Sequence, residues 1–442
     1  MKALFIALDT AILTLCACAV GLGLLLRSPL FVLLLLLYVP LNIIPSPHRF
    51  RIRSFRLRVC GEGSDLLLVF LFSAVLTAAV FVPAGFKYIP DPDARLFYLI
   101  AAASAPFVLG VVFWNGILRV YLTSVQLGIK HRVLGILLAI IPLWNVVYLC
   151  YIIILTDREV RFEVQKQRRD EERAQQRVCA TKYPLLLVHG VFFRDSDLLN
   201  YWGRIPAELE KNGADIYYGN HQSAAAISAC GEELSERIRE VAEKTGCGKV
   251  NIIAHSKGGL DCRYAISRGG AAQYVASLTT INTPHRGCLF ADYLLSETSV
   301  KIKHSVARTY NRFLRKLGDS KPDFLAAVND LTARSCEEFN RETPDSPEVY
   351  YQSFGSRLNR ARAGKFPMNL TFHVAKAFGG SNDGLVAEDS FPWGSSFRLL
   401  TTSGRRGISH GDMVDLNREN IRDFDVREFY VQLVADLKEK GF

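Results

Sequence analysis

The stretch NIIAHSKGGLD, residues 251–261, changes character midway. Asn251–Ala254 reads as the end of a buried strand, and Leu260 onward as the start of a helix. Between them stand His255, Ser256 and Lys257, followed by Gly258 and Gly259. Ala254 and Gly258 lie two residues before and two after Ser256, where a large side chain would crowd a tight turn. This is the nucleophile-elbow arrangement, with Ala in the first small position. Such a turn lifts Ser256 Oγ above the sheet, at a helix N-terminus whose dipole favours negative charge. A small-x-Ser-x-small match also arises by chance in βα turns; the strand before it and the helix after it set this one apart.

The surrounding chain repeats the alternation. YPLLLVHG, ADIYYGN, KVNIIAHS and VASLTTINTP read as strands. LLNYWGRIPAELEKNG (with Pro206 inside it) and SACGEELSERIREVAEKTG read as helices. Near-continuous apolar strands alternating with amphipathic helices predict a mostly parallel sheet covered on both faces, hence an α/β domain.

A serine needs a base, and the base needs an orienting acid. On this fold they follow in the order Ser, acid, His. His410, in GISHGD, is the one histidine after His373. Before it, GGSNDGLV places Asp383 in a Gly/Asn-rich loop. Taken singly, Asp383 reads as a turn aspartate and His410 as a surface histidine; together with the elbow they form a candidate triad. A tetrahedral intermediate would also need donors, and the backbone N–H groups of Val191, after the turn at Gly190, and of Lys257 are the candidates. His189 and His255 adjoin these elements as structural hydrogen-bonding residues.

The motifs HGVFFRD, NYWGRIP, AHSKGGLD, TINTPHRG, DLTARSCEEFN, SNDGLV and ISHGD, in that order over about 180–442, resemble bacterial triacylglycerol lipases of the α/β-hydrolase superfamily. The resemblance implies an α/β-hydrolase fold with a helical cap, Ser256 as nucleophile, Asp383 as acid, His410 as base, and an acyl-ester substrate. Many such lipases bind a structural calcium through an aspartate two residues after the catalytic histidine, where Asp412 stands. The second acid would fall some twenty residues before Asp383, but residues 346–382 contain only Glu348. No metal and no cofactor are expected.

The N-terminal part is different. Apolar runs occupy Leu4–Leu26, Leu30–Ile44, Leu66–Pro83, Leu96–Ile117 and Val133–Leu155, each near the roughly 20 residues that cross a bilayer. About five spans are therefore expected over 1–155, a charged helical linker over 156–179, and the hydrolase over 180–442. Residues 1–181 hold 19 Lys+Arg against 11 Asp+Glu, so most of the net charge of +10 sits here. That excess reads as loop charge facing lipid headgroups, with no nucleic-acid motif beside it. Two arginine-rich segments, 49–58 and 158–173, both ask for the cytoplasmic side. Three expected spans lie between them, which puts them on opposite sides. The ten cysteines form no Cys-x-x-Cys pair and suggest neither a zinc site nor a disulfide scaffold.

An insert at about 289–347 stands where a cap would. Ile302, Val306, Tyr310, Phe313 and Leu317 recur at helical spacing among Lys301, Lys303, Arg308, Arg312, Arg315 and Lys316, as in a helix that packs on its own domain or lies on an anionic membrane. The expectation is a membrane-anchored serine hydrolase acting on lipid or acyl esters through an acyl-enzyme. An acyltransferase on the same triad, an inert membrane sensor or scaffold, and a transporter are the alternatives; the side of the membrane is left open.

Overall fold

In the computed structural model, residues 2–25, 27–28, 33–191, 201–296, 300–316, 319, 321–365 and 368–442 are described. The chain divides into two compact units, Met1–Arg169 and Asp170–Phe442.

The first unit is helical: α1 (Lys2–Leu25), α2 (Leu35–Ile43), α3 (Phe55–Tyr88), α4 (Pro92–Thr123), α5 (Gly128–Leu138) and the start of α6 (Trp144–Arg173). Among the described residues, three helices are long and apolar enough to cross a membrane: Lys2–Leu24, Phe55–Tyr88 and Pro92–Thr123. About five spans were expected over 1–155; the other two apolar runs do not form single apolar helices of that length among the described residues. The second apolar run lies partly outside the described residues, and its remainder is the nine-residue α2 with Pro40 inside it. The fifth run is broken between α5 and α6, where Pro142 interrupts it. A charged helical linker was expected over 156–179; α6 runs through this segment to Arg173, and along it Thr156, Asp157, Glu159, Val160 and Asp170 are buried. Their charges are compatible with burial because they are paired: Arg56 lies 2.7 Å from Glu159, and Lys211 lies 2.7 Å from Asp170.

The second unit runs β1 (Leu185–Val188), α7 (Ile205–Lys211), β2 (Ile216–Tyr218), α8 (Ile227–Thr245), β3 (Val250–His255), α9 (Gly258–Ser267), β4 (Val275–Ile281), α10 (Leu289–Ser296), α11 (Val300–Lys316), α12 (Phe324–Asn329), α13 (Ala333–Glu342), β5 (Tyr350–Ser356), α14 (Met368–Gly379), β6 (Ser396–Leu400) and α15 (Val426–Glu439). The sheet order is β2-β1-β3-β4-β5-β6, parallel at every pairing. This is the α/β-hydrolase fold. β3, which carries the elbow, lies between β1 and β4. Alternate residues of β1 and β3 face opposite cores: Leu185, Leu187 and Ile253 pack with α7 and α15, while Leu186, Val188 and Ile252 pack with α8 and α9. Pro206 does not interrupt α7 but lies in its first turn, where its missing N–H costs nothing.

The cap comprises α10–α13, between β4 and β5. In α11, Ala307 and Leu314 are buried, and Tyr310 stacks on Phe324 at 4.8 Å. Arg308, Arg312, Arg315 and Lys316 face out. Phe313 joins them rather than the buried stripe. The side chains of Ile302, Val306 and Leu317 lie outside the described residues.

Candidate active site

β3 enters α9 through Ser256, whose φ of +56° lies in the left-handed region. A non-glycine residue held there costs about 1–3 kcal/mol and needs a rigid surround. Its N–H donates to Ile281 O at 2.9 Å, and Thr283 Oγ1 donates to its carbonyl at 2.8 Å. Small residues are required here by the ends of β1 and β4. A Cβ on Gly258 would strike the His189 carbonyl, and one on Gly190 would lie 2.8 Å from Ser256 Cβ. Gly259 is pressed likewise against Thr283. Ala254 is buried in the strand.

Asp383 and His410 arrive from the loops after α14 and β6. His410 Nε2 lies 3.0 Å from Ser256 Oγ. His410 Nδ1 lies 2.6 Å from Asp383 Oδ2. That oxygen also accepts from Asn282 Nδ2 at 2.6 Å, while Oδ1 accepts from the N–H groups of Leu385 and Val386 at 2.9 and 2.8 Å. Asn282 follows β4 with φ +49°, and sequence reasoning missed it. The available signal was an asparagine, a residue that tolerates positive φ, at the strand end in INTP.

The N–H groups of Lys257 and Val191 remain the oxyanion candidates, for neither has an acceptor among the described residues. The segment that continues from Val191 (192–200) lies outside the described residues. The Lys257 side chain points away into the domain, with Nζ 2.5 Å from Asp261 Oδ1 and 3.4 Å from Cys230 Sγ. Burial opposes its charge, but Asp261 and Cys230 together outweigh burial and hold its pKa above the ordinary lysine value. Burial also pushes Asp261 up to about 6, against the pull of Lys257.

His255 and Tyr201 complete the surround. His255 Nε2 lies 3.2 Å from the His410 carbonyl, which can only accept. Nε2 therefore carries the proton and Nδ1 accepts, from Tyr201 Oη at 2.6 Å. Tyr201 Oη in turn accepts from Gly190 N–H at 3.0 Å. Burial, then the nearby His410, pushes the His255 pKa well below the usual value, consistent with one neutral tautomer. His189, held by burial at a pKa of about 3, stacks on His221 at 4.1 Å.

Asp412 does not present a free carboxylate to a metal. Its Oδ2 accepts from Ser409 N–H at 2.8 Å and from Arg406 at 2.6 Å, and its Oδ1 accepts from Arg406 at 3.1 Å. Arg406 also binds Glu419 at 2.6 Å, and Lys365 lies 2.5 Å from the same Glu419 side chain. The donor set for calcium does not fit, because a guanidinium occupies the cation's place. Ser409 and Asp412 form a capping box on the short turn that begins at His410. All ten cysteines are free thiols.

Residues 185–328 match a family described as "Putative serine esterase (DUF676)". A triacylglycerol lipase of Pseudarthrobacter phenanthrenivorans is 35% identical over 183 residues, 38% of this chain and 56% of that protein. One of Vibrio cholerae is 30% identical over 247 residues, 51% of this chain and 78% of that protein. The chain spans 56% and 50% of the lengths of the relatives from P. phenanthrenivorans and Burkholderia plantarii. The mature Bacillus licheniformis lipase superposes at a TM-score of 0.44, with 23% identity over 57% of this chain and 92% of that one.

Proposed function

The chain belongs to the triacylglycerol lipase family, and on that premise we propose that it is a membrane-anchored serine hydrolase cleaving carboxylic esters of lipids. The observation that carries the reading is the relay of 3.0 and 2.6 Å from a serine held at positive φ through His410 to Asp383.

His410 Nε2 takes the Ser256 hydroxyl proton as Oγ bonds to the ester carbonyl carbon. The carbonyl oxygen becomes an oxyanion, met by the N–H groups of Lys257 and Val191; losing one such donor typically costs about 10²–10³ in rate. His410 then gives the proton to the departing alkoxide, leaving an acyl-enzyme. Water, deprotonated by the same imidazole, releases the acyl group. Asp383 holds the ring with Nε2 facing Ser256. Three apolar helices of spanning length in the first unit support the anchor.

The test is covalent labelling by a fluorophosphonate probe of the detergent-solubilised chain beside its Ser256→Ala variant. Labelling lost in the variant, with release of fatty acid from a glycerolipid by the intact chain, is the expected result. An intact chain that neither labels nor hydrolyses in the presence of lipid overturns the reading.

A further inference from the structure

The first unit carries a group of charged side chains that the hydrolase does not use. Lys2 Nζ lies 3.2 Å from Asp65 and 2.5 Å from Asp157. Arg49 grips Asp65 with Nε at 2.6 Å and Nη2 at 2.7 Å, and reaches Asp157 at 3.3 Å. Ser46 Oγ donates to Asp65 at 2.9 Å. Residues 2, 46, 49, 65 and 157 therefore stand at one level of the bundle.

That level decides how often the chain crosses. α1 has 24 residues and climbs about 36 Å from Lys2. The chain must return before Ser46, and it passes α1 midway, where Cys16 Sγ lies 3.2 Å from the Leu34 carbonyl. α3 climbs again and α4 descends. At the lower end of α4, Arg119 pairs with Glu62, and the Thr123 carbonyl accepts from Arg56 at 2.6 Å. Arg56 also binds Glu159 at 2.7 Å, which puts α6 at the same end.

The stretch from Ser124 to Glu159 thus leaves this level and comes back to it. Ser124 Oγ donates to Glu159 at 2.6 Å, and Arg132 Nη2 donates to the Ser124 carbonyl at 2.6 Å. The excursion outward is α5, 11 residues, about 16 Å, or half of a hydrocarbon core about 30 Å thick. His131 Nδ1, 2.8 Å from Tyr148 Oη, clasps α5 to α6. At the turn, Ile140 and Leu143 are 85% and 81% exposed, and Ile136, Leu137, Trp144, Val146 and Val147 are exposed beside them. So much contiguous apolar surface is out of place in water. Its length and its polar base fit the acyl chains of a single leaflet.

We propose that α5 and the apolar start of α6 form a re-entrant hairpin dipping into one leaflet, and that the chain makes an even number of full crossings before it. The hydrolase unit then lies on the same side as the arginine-rich segment 49–58. Of the 14 Lys and Arg through residue 161, 11 lie at this level, against Arg27, Lys87 and Arg95 at the other end. By the positive-inside rule that side is cytoplasmic. The two basic segments then agree, because the fifth apolar run is not a crossing. This inference rests on the membrane reading above.

The test uses the full chain in a bacterial host. With green fluorescent protein after Phe442 the fusion should fluoresce, and with alkaline phosphatase there it should be inactive; the reverse pair overturns the sidedness. For the hairpin, single cysteines are placed in a cysteine-free variant that keeps its fluorophosphonate labelling, and an impermeant maleimide is applied. Asp91→Cys should label on intact cells, Gln126→Cys only in inverted vesicles, and Leu143→Cys in neither. Labelling of Leu143→Cys from outside would make the hairpin a crossing, and labelling from inside would leave it unembedded; either overturns the proposal. Release of the chain by alkaline carbonate would instead sink the membrane reading itself.

Discussion

Tyr201 Oη lies 2.6 Å from Nδ1 of His255, the residue before Ser256, and links the loop of His410 to the turn at Gly190. The hydrogen bonds run one way, from Gly190 N–H to Tyr201, from Tyr201 to His255, and from His255 to the His410 carbonyl. Tyr201→Phe leaves the Gly190 N–H and the His255 Nδ1 without this partner at a buried site. Each such loss costs about 1–3 kcal/mol. The expected result is a kcat about ten- to a hundred-fold lower on a short-chain ester, at nearly constant KM. A variant with unchanged kcat would reduce the chain of bonds to packing.

Asn282 occupies the fourth donor position on Asp383. Asn282→Ala should lower kcat about ten-fold, since three N–H donors remain. Asn282→Asp should cost much more, because it sets a second carboxylate against Asp383 in a buried pocket. Steady-state rates of the two variants separate the cases; equal losses would refute the charge argument.

Arg406 neutralises Asp412 where a lipase of this kind could place calcium. Chelation with EDTA should leave the rate of the intact chain unchanged. Arg406→Met should lower kcat by loosening the turn that begins at His410, and added calcium should not restore it. An EDTA-sensitive wild type contradicts the guanidinium assignment.

Glu419 supplies a pH dependence. Burial pushes its pKa up, but Lys365 and Arg406 outweigh burial and hold it below the ordinary value of 4.5. A depressed folded-state pKa stabilises the fold above pH 4.5, and that contribution is lost as pH falls through the folded value. Glu419 keeps 34% of its side chain in water, so the contribution is about 1 kcal/mol. Glu419→Gln should melt below the wild type at pH 7 by about 2–4 °C, and the gap should close under more acidic conditions. A gap independent of pH would assign the loss to packing.

Much of the hydrolase was legible in the sequence because its signals are local. The strand before Ser256, the glycines after it and the loop around Asp383 each announce themselves within a few residues. The parallel sheet follows from the apolar runs. Asn282, Tyr201 and Arg406 were not legible, because their roles depend on partners brought in by the fold: Asp383 is 101 residues from Asn282, and His255 is 54 from Tyr201. Pro206 was placed inside a helix that it begins. The break in the fifth apolar run was not legible either: hydropathy adds up along the chain and does not register the interruption at Pro142, and the hydrogen bonds of Ser124 with Glu159 and Arg132 lie outside the run.

The guanidinium of Arg406 differs from a metal ion in one respect that bears on where such an enzyme can work. A dissociable cation occupies its site according to its concentration in the compartment, whereas a tethered one is present at an effective concentration set by the chain alone. The turn carrying His410 therefore keeps its cation under chelation, dilution or a shortage of calcium. Its integrity is inherited with the gene product rather than assembled from the surroundings.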